Sequence, residues 1–193
     1  MYPELASLNT NLSLAPLASA WLVEFYGGWG ANTSHEGRPH LDASCAAAHP
    51  SSPAVSCWSA AANYQYISTP LYVAQNRFDS DQAGDVMGLD WWPLPENTTD
   101  RQAAQRDYKR YFGNQTMSGI VAQVLSNGKP DGLFVPSCWQ HTGNLCMRPS
   151  SSKVHGVRYA ESLWDWFSAD SRYPHRLVDD CTGPDPCNTN CGC

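Results

Sequence analysis

An aspartate and a histidine stand directly after two predicted strands. Asp79 follows the β-forming run from Leu71 to Phe78, and His141 follows the short strand Leu133–Pro136. Functional groups of open α/β sheets lie beyond the carboxyl ends of the strands, and the triad of α/β hydrolases runs Ser, Asp or Glu, His along the chain. The pair therefore fits the acid and the base of such a triad, with Asp79 fixing the imidazole tautomer and His141 moving the proton. The alternative is a turn-capping aspartate and a surface histidine.

The predicted elements supply a scaffold for this pair. Their order is strand, loop, helix, helix, strand, loop, helix, which is typical of an α/β architecture. The apolar run of β-formers from Leu71 to Gln75 predicts a buried strand of the parallel type. The other predicted elements besides Leu133–Pro136 are a strand over Trp21–Tyr26 and helices from Thr99 or Asp100 to about Phe112, from Met117 to Leu125 and from Val157 to Phe167.

The composition is that of a globular protein with a single domain. Its 193 residues allow one sizeable core, and the 42% hydrophobic content argues against disorder. The formal net charge is −6, whereas a general nucleic-acid binder needs a basic face. No run of about 18 apolar residues occurs, so the sequence predicts no membrane span. It indicates neither a cofactor nor a metal site.

Eight cysteines, four of them within residues 181–193, are typical of a disulfide framework from an oxidising compartment. Short spacing predicts that Cys45 pairs with Cys57 and that the tail cysteines pair mostly among themselves. A zinc site in the tail is the alternative, but its spacing lacks the paired C-x2-C knuckles of structural zinc sites.

Potential glycosylation sites also favour secretion. Four N-x-[ST] sequons occur, at Asn11, Asn32, Asn97 and Asn114. The first residues do not resemble a secretory signal, because no Lys or Arg precedes Arg38. We therefore expect a secreted protein whose signal lies upstream of Met1, or a longer protein in which Met1 is internal.

Tryptophan and the remaining histidines have other expected roles. Trp164 and Trp166 on the last helix are expected in the core, whereas binding and packing are equally plausible for the loop pair Trp91-Trp92. The other histidines lack metal-ligand spacing and are expected to be solvated. They are His35, His40, His49, His155 and His175.

Five features in chain order resemble the pectin acetylesterase and Notum family. They are the cysteine pair Cys45 and Cys57, Thr-Pro-Leu with Phe-Asp-Ser-Asp-Gln in residues 69–82, the Gly-Leu-Phe to Cys-Trp-Gln-His segment 132–141, Ala-Glu-Ser-Leu-Trp-Asp-Trp-Phe at 160–167 and Cys-Asn-Thr-Asn-Cys at 187–191. The resemblance covers about residues 40–193. Asp81 falls where the family keeps no acid, so we interpret it as solvated.

The resemblance implies a secreted serine carboxylesterase with a disulfide-stapled, α/β-hydrolase-like fold of the flavodoxin-like three-layer type. By position, Asp79 matches the triad acid and His141 the triad base. The implied substrate is an acylated polysaccharide such as pectin, which loses O-acetyl groups, or an acylated protein. The implied function is therefore that of a carboxylic ester hydrolase without a cofactor.

The departure from the family concerns the nucleophile. Family members carry it upstream in a Gly-x-Ser-x-Gly-Gly element, and this chain has no Gly-x-Ser-x-Gly. Ser34 lacks the strand-to-glycine spacing of a nucleophile elbow. Gly27-Gly28-Trp29 is similar to the family's oxyanion loop or is an ordinary glycine turn.

We therefore interpret residues 1–193 as a single partial domain, the C-terminal half of such an esterase or a truncated relative. Residues 1–40 are unassigned, residues 40–178 form the acid–base half, and residues 179–193 form a cysteine-rich tail. The alternative is a non-catalytic secreted relative that kept the shape and lost the nucleophile.

Overall fold

The computed structural model describes residues 42–51, 57, 60–80, 98–141, 152–170, 172–181 and 186–192. Among these, the residues up to Ser68 belong to one compact unit and those from Thr69 to another. The single partial domain stays a prediction. Several predicted features lie outside the described residues, namely Trp21–Tyr26, Gly27-Gly28-Trp29, Ser34, His35, His40, Asp81, Trp91-Trp92, Cys146, Cys193 and the sequons at Asn11, Asn32 and Asn97.

The first unit contains helices α1 (Ala43–Ala48) and α2 (Ala60–Tyr64). Asp42 caps α1, since its Oδ1 accepts the backbone N–H groups of Ser44 at 2.9 Å and Cys45 at 3.0 Å. Hydrogen bonds from the Ser44 side chain and the Cys45 backbone lower the pKa of Asp42. The Cys45–Cys57 disulfide is present, so this predicted pairing is confirmed.

The second unit contains a parallel sheet with helices between its strands. Its elements are β1 (Tyr72–Ala74), α3 (Thr98–Thr116), a π-helical segment (Met117–Val121), α4 (Ala122–Ser126), β2 (Gly132–Val135), β3 (Lys153–Val154), β4 (Val157–Arg158), α5 (Tyr159–Phe167) and β5 (Arg176–Val178). Two predicted strands and the three predicted helices are thus confirmed with shifted ends. No helix within the described ranges is long and apolar enough to cross a bilayer.

Strand β2 lies at the centre of the sheet, with β1 and β5 as parallel neighbours. All four of its residues are buried, as expected for a parallel strand covered on both faces. Phe134 packs with Val154, Tyr159 and Leu177 in a buried cluster. The core therefore holds the centre of the sheet rigidly, and the loops at its carboxyl end extend from a fixed base.

Helix α5 packs against this cluster and corrects one expectation. Its buried residues are Tyr159, Ser162 and Asp165, which lie on one side of the helix because they are spaced by three. Trp166 is half-buried against Tyr72, with a ring centroid distance of 5.4 Å. Trp164 lies on the opposite side and is 67% exposed. The prediction that Trp164 packs in the core is wrong.

The cysteine-rich tail corrects a second expectation. Cys181 pairs with Cys187, a local pair of the predicted kind. Cys191 instead pairs with Cys138, 53 residues earlier. Spacing alone misleads here because the tail returns to the end of β2, where the backbone N–H of Asn188 donates to Ser137 O at 3.2 Å.

Candidate active site

The pairing of β1 with β2 continues beyond the regular strands. The backbone N–H of Arg77 donates to Pro136 O at 3.0 Å, and Phe78 pairs with Trp139 in an isolated parallel bridge. The stretch from Phe134 to Trp139 that follows β2 is one residue longer than the stretch from Ala74 to Phe78 that it pairs with. One extra residue reverses the faces on which later side chains project, so this local register helps to decide where the His141 side chain points.

A buried asparagine fixes the segment that carries the histidine. Asn76 is 3% exposed, and its Nδ2 donates to Gln140 O at 2.7 Å. On its other side, Gln140 Nε2 donates to the Oγ of Ser152 at 3.1 Å. Gln140 is therefore held from two directions immediately before His141.

The predicted pair comes together at this point. His141 Nδ1 lies 3.0 Å from Oδ1 and 3.1 Å from Oδ2 of Asp79. The Asp79 side chain is 7% exposed and the His141 side chain 46%. A buried carboxylate that faces Nδ1 favours the tautomer with the proton on Nδ1, which leaves the basic lone pair on Nε2. The arrangement suits a general base.

A cation lies beside the same segment. The ammonium of Lys109 on α3 is 4.1 Å from the centroid of the Trp139 ring, a cation–π geometry. Burial lowers the pKa of Lys109. Phe78, the bridge partner of Trp139, packs against α3, where a Cβ added to Gly113 would lie 2.3 Å from its ring. Helix α3 therefore supports both halves of the bridge that precedes Asp79 and His141.

Asn76 is a residue of the candidate site that the sequence interpretation missed. The sequence signal for Asn76 was weak. It consisted only of an asparagine directly after an apolar strand and three residues before Asp79. Asparagine at that place also fits an ordinary turn. Within the described ranges, no group of three or more His, Cys, Asp or Glu side chains is arranged to hold a metal ion.

Comparison with solved structures gives a similar fold. The Wnt deacylase Notum from Drosophila has a TM-score of 0.56 and 22% sequence identity, and the match covers 81% of this chain and 38% of that chain. This likeness confirms the predicted α/β-hydrolase-like fold. The chain thus spans less than two-fifths of the length of the solved Notum chain.

Comparison with sequence families gives a match over most of the chain. No curated protein matches significantly. A family model described as pectinacetylesterase matches residues 24–192, and this range includes the Asp79–His141 pair and the parallel sheet that positions it. The chain belongs to the pectinacetylesterase family.

Proposed function

We propose that this chain supplies the acid and the base of a carboxylesterase triad, with Asp79 as the acid and His141 as the base. The observation that carries the proposal is the contact of His141 Nδ1 with the buried Asp79 carboxylate at 3.0 Å. Membership of the pectinacetylesterase family supports the same chemistry. The pair stands at the carboxyl ends of adjacent parallel strands, where the active sites of such sheets lie.

The proposed mechanism is acyl transfer through a serine. His141 Nε2 takes the proton of the serine hydroxyl as its oxygen bonds to the ester carbonyl carbon, and then gives that proton to the departing alcohol. Water next attacks the acyl-enzyme in the same way, which releases the acid and restores the serine. Asp79 stabilises the imidazolium that forms in each half-reaction and stays ionised throughout.

The serine of this mechanism comes from outside these 193 residues. The sequence contains no Gly-x-Ser-x-Gly element, and the exposed turn of that element presents the nucleophile in α/β hydrolases. The acid–base pair therefore belongs to a longer polypeptide or to an assembly that brings the nucleophile to Nε2.

The proposed substrate is an O-acetylated polysaccharide such as pectin, and the proposed location is extracellular. The family description supports the substrate, and three disulfides among the described cysteines support an oxidising compartment. An acylated protein is the second candidate carrier, because Notum, a Wnt deacylase, shares the fold.

The test is an esterase assay with and without the nucleophile. The 193-residue chain alone should hydrolyse p-nitrophenyl acetate close to background, since loss of a triad serine costs about 10⁶-fold. A polypeptide that adds an upstream Gly-x-Ser-x-Gly segment should be active, and His141→Ala should abolish its turnover. His155→Ala is the matched control, because His155 contacts Asp180 on the surface, and this variant should retain activity.

Two results would contradict the proposal. Strong turnover by the isolated chain, lost on substitution of one of its own serines, would place the nucleophile inside it. Normal turnover of the extended His141→Ala variant would remove His141 from the mechanism. Acetate release from acetylated pectin, compared with acyl release from a fatty-acylated peptide, distinguishes the two carriers.

A further inference from the structure

A second buried carboxylate lies at the carboxyl end of the sheet. Asp179 directly follows β5, and its backbone N–H donates to Val135 O at 2.9 Å. It is 8% exposed. Val135 is the last residue of β2. Asp179 therefore lies beside the start of residues 136–141, which lead from β2 to His141 and are called the His141 segment.

The Asp179 carboxylate accepts hydrogen bonds from two different parts of the chain. Its Oδ2 accepts the backbone N–H of Ser137 at 3.1 Å and Asn188 Nδ2 at 2.5 Å. Its Oδ1 accepts the backbone N–H of Cys181 at 3.2 Å. Ser137 belongs to the His141 segment, whereas Cys181 and Asn188 belong to the tail. Hydrogen bonds to an ionised carboxylate are about twice as strong as neutral ones, so Asp179 joins these two parts firmly.

Further links connect the same two parts. The backbone N–H of Asn188 donates to Ser137 O at 3.2 Å, and Cys138 is joined to Cys191 by a disulfide. Asn188 Nδ2 also donates to Lys153 O at 2.8 Å, which ties the tail to β3. The tail is therefore a fixed part of the fold at the point where it meets the His141 segment.

We propose that Asp179 is a positioning residue for His141. Its carboxylate holds the tail against Ser137 and thereby fixes the segment that carries the imidazole against Asp79. This inference rests on the proposed role of His141 as the base. Ser137 is four residues before His141, so a shift of Ser137 is transmitted along a short, hydrogen-bonded stretch. Displacements of about 1 Å are enough to cost catalysis heavily.

The test follows the His141 imidazole by ¹⁵N NMR, with signals assigned by comparison with His141→Gln. Asp179→Asn keeps the shape of the side chain but replaces one acceptor oxygen with a donor that faces N–H groups. We expect hydrogen exchange of the His141 Nδ1–H to become on the order of tenfold faster, the equivalent of one hydrogen bond. The matched control is Asp165→Asn. Asp165 is another buried aspartate, and its Oδ2 accepts the backbone N–H of Tyr173 at 2.8 Å. This control should leave the His141 signals unchanged.

Three outcomes would overturn the inference. Unchanged His141 signals in a folded Asp179→Asn variant would show that Asp179 does not position the ring. An equal change in Asp165→Asn would trace the effect to general loosening. A wild-type protein without an Nδ1–H bond to Asp79 would refute the proposed function, and the inference with it. If Asp179→Asn does not fold, Asn188→Ala removes one donor from the same carboxylate, and the same measurement decides.

Discussion

Two histidine–aspartate pairs lie at opposite ends of the same parallel sheet. His141 and Asp79 follow the strands, whereas His175 precedes β5 and contacts Asp165 near the end of α5. Both aspartate side chains are buried, at 7% and 5% exposure, and both histidines are partly exposed, at 46% and 33%. Residue type and burial therefore do not distinguish the two pairs.

The ring nitrogen that faces the carboxylate does distinguish them. His141 presents Nδ1 to Asp79 at 3.0 Å, so Nε2 carries the lone pair. His175 presents Nε2, which lies 3.6 Å from Asp165 Oδ2 and 2.7 Å from Asp170 O. Because a carbonyl oxygen only accepts, His175 Nε2 is a donor that closes a loop. His175 is partly exposed, in line with the expectation that it is solvated, and it also donates this hydrogen bond, which the sequence does not predict.

The largest expected effect is on kcat, and it compares substitutions of the aspartates at the two ends of the sheet. In a polypeptide that supplies the serine, Asp79→Asn should lower kcat by about 10⁴-fold, because no carboxylate then holds His141 in the tautomer with the proton on Nδ1. Asp165→Asn should leave kcat unchanged. Steady-state assays on an acetyl ester measure both variants. Equal losses would show that the two pairs do not differ in function.

The next effect concerns the disulfides near the candidate site. Removing the Cys138–Cys191 link, which spans 53 residues, should cost about 4 kcal/mol of the free energy of unfolding, and removing Cys181–Cys187, which spans 6, about 2 kcal/mol. The reason is that closing a longer loop restricts the unfolded chain more. Urea denaturation of the two double alanine variants compares them, and indistinguishable midpoints and slopes would contradict the expectation.

A smaller loss of stability is expected at the other end of the sheet. Asp165→Ala should lower the free energy of unfolding by about 2 kcal/mol, because the backbone N–H of Tyr173 loses its buried acceptor. The exposed neighbour Asp170 is the control, and Asp170→Ala should stay within about 0.5 kcal/mol of wild type. Thermal or urea unfolding measures both, and similar values for the two would assign Asp165 no special role.

The smallest effect concerns the start of α5, the helix that runs between the two ends. Glu161 accepts the Arg158 side chain at 2.5 Å and the Arg158 backbone N–H at 2.9 Å, and these hydrogen bonds lower the pKa of Glu161 to about 2. After allowance for solvent screening, Glu161→Gln should cost about 0.5–1 kcal/mol at neutral pH.

The pH dependence of that cost has a defined sign. A lowered pKa in the folded state stabilises the protein above the ordinary value of 4.5, and the gain is lost as pH falls towards about 2. The difference between wild type and Glu161→Gln should therefore shrink over that interval. Unfolding measurements at several pH values test this, and a constant difference would mean that the charge of Glu161 is irrelevant.

The sequence was sufficient to predict the strands β1 and β2 and to place Asp79 and His141 at the same edge of the sheet. Consecutive apolar β-formers mark β1 and β2 because a parallel strand is buried on both faces. Chain order then places Asp79 and His141 at the same edge. The resulting contact at 3.0 Å is the predicted one.

Other features depend on contacts that local sequence does not encode. Strand β5 has three residues, of which only Leu177 is buried, so its pairing with β2 gives little signal. The large apolar residues of helix α5 lie within less than half of its circumference, yet the helix buries Ser162 and Asp165. The apolar pattern therefore does not predict that Trp164 is exposed. The Cys138–Cys191 pair depends on hydrogen bonds of the tail to Ser137, which join residues far apart in sequence.

The Cys138–Cys191 disulfide also sets an order of events during biosynthesis. When the ribosome has just completed β2, the partner of Cys138 does not yet exist, because 53 residues separate the two cysteines. The segment that carries His141 therefore gains its covalent attachment late, after the whole second unit up to Cys191 has been translated. Maturation of the candidate site is in this sense an oxidative step, and a cell compartment that keeps thiols reduced would yield chains without this covalent attachment.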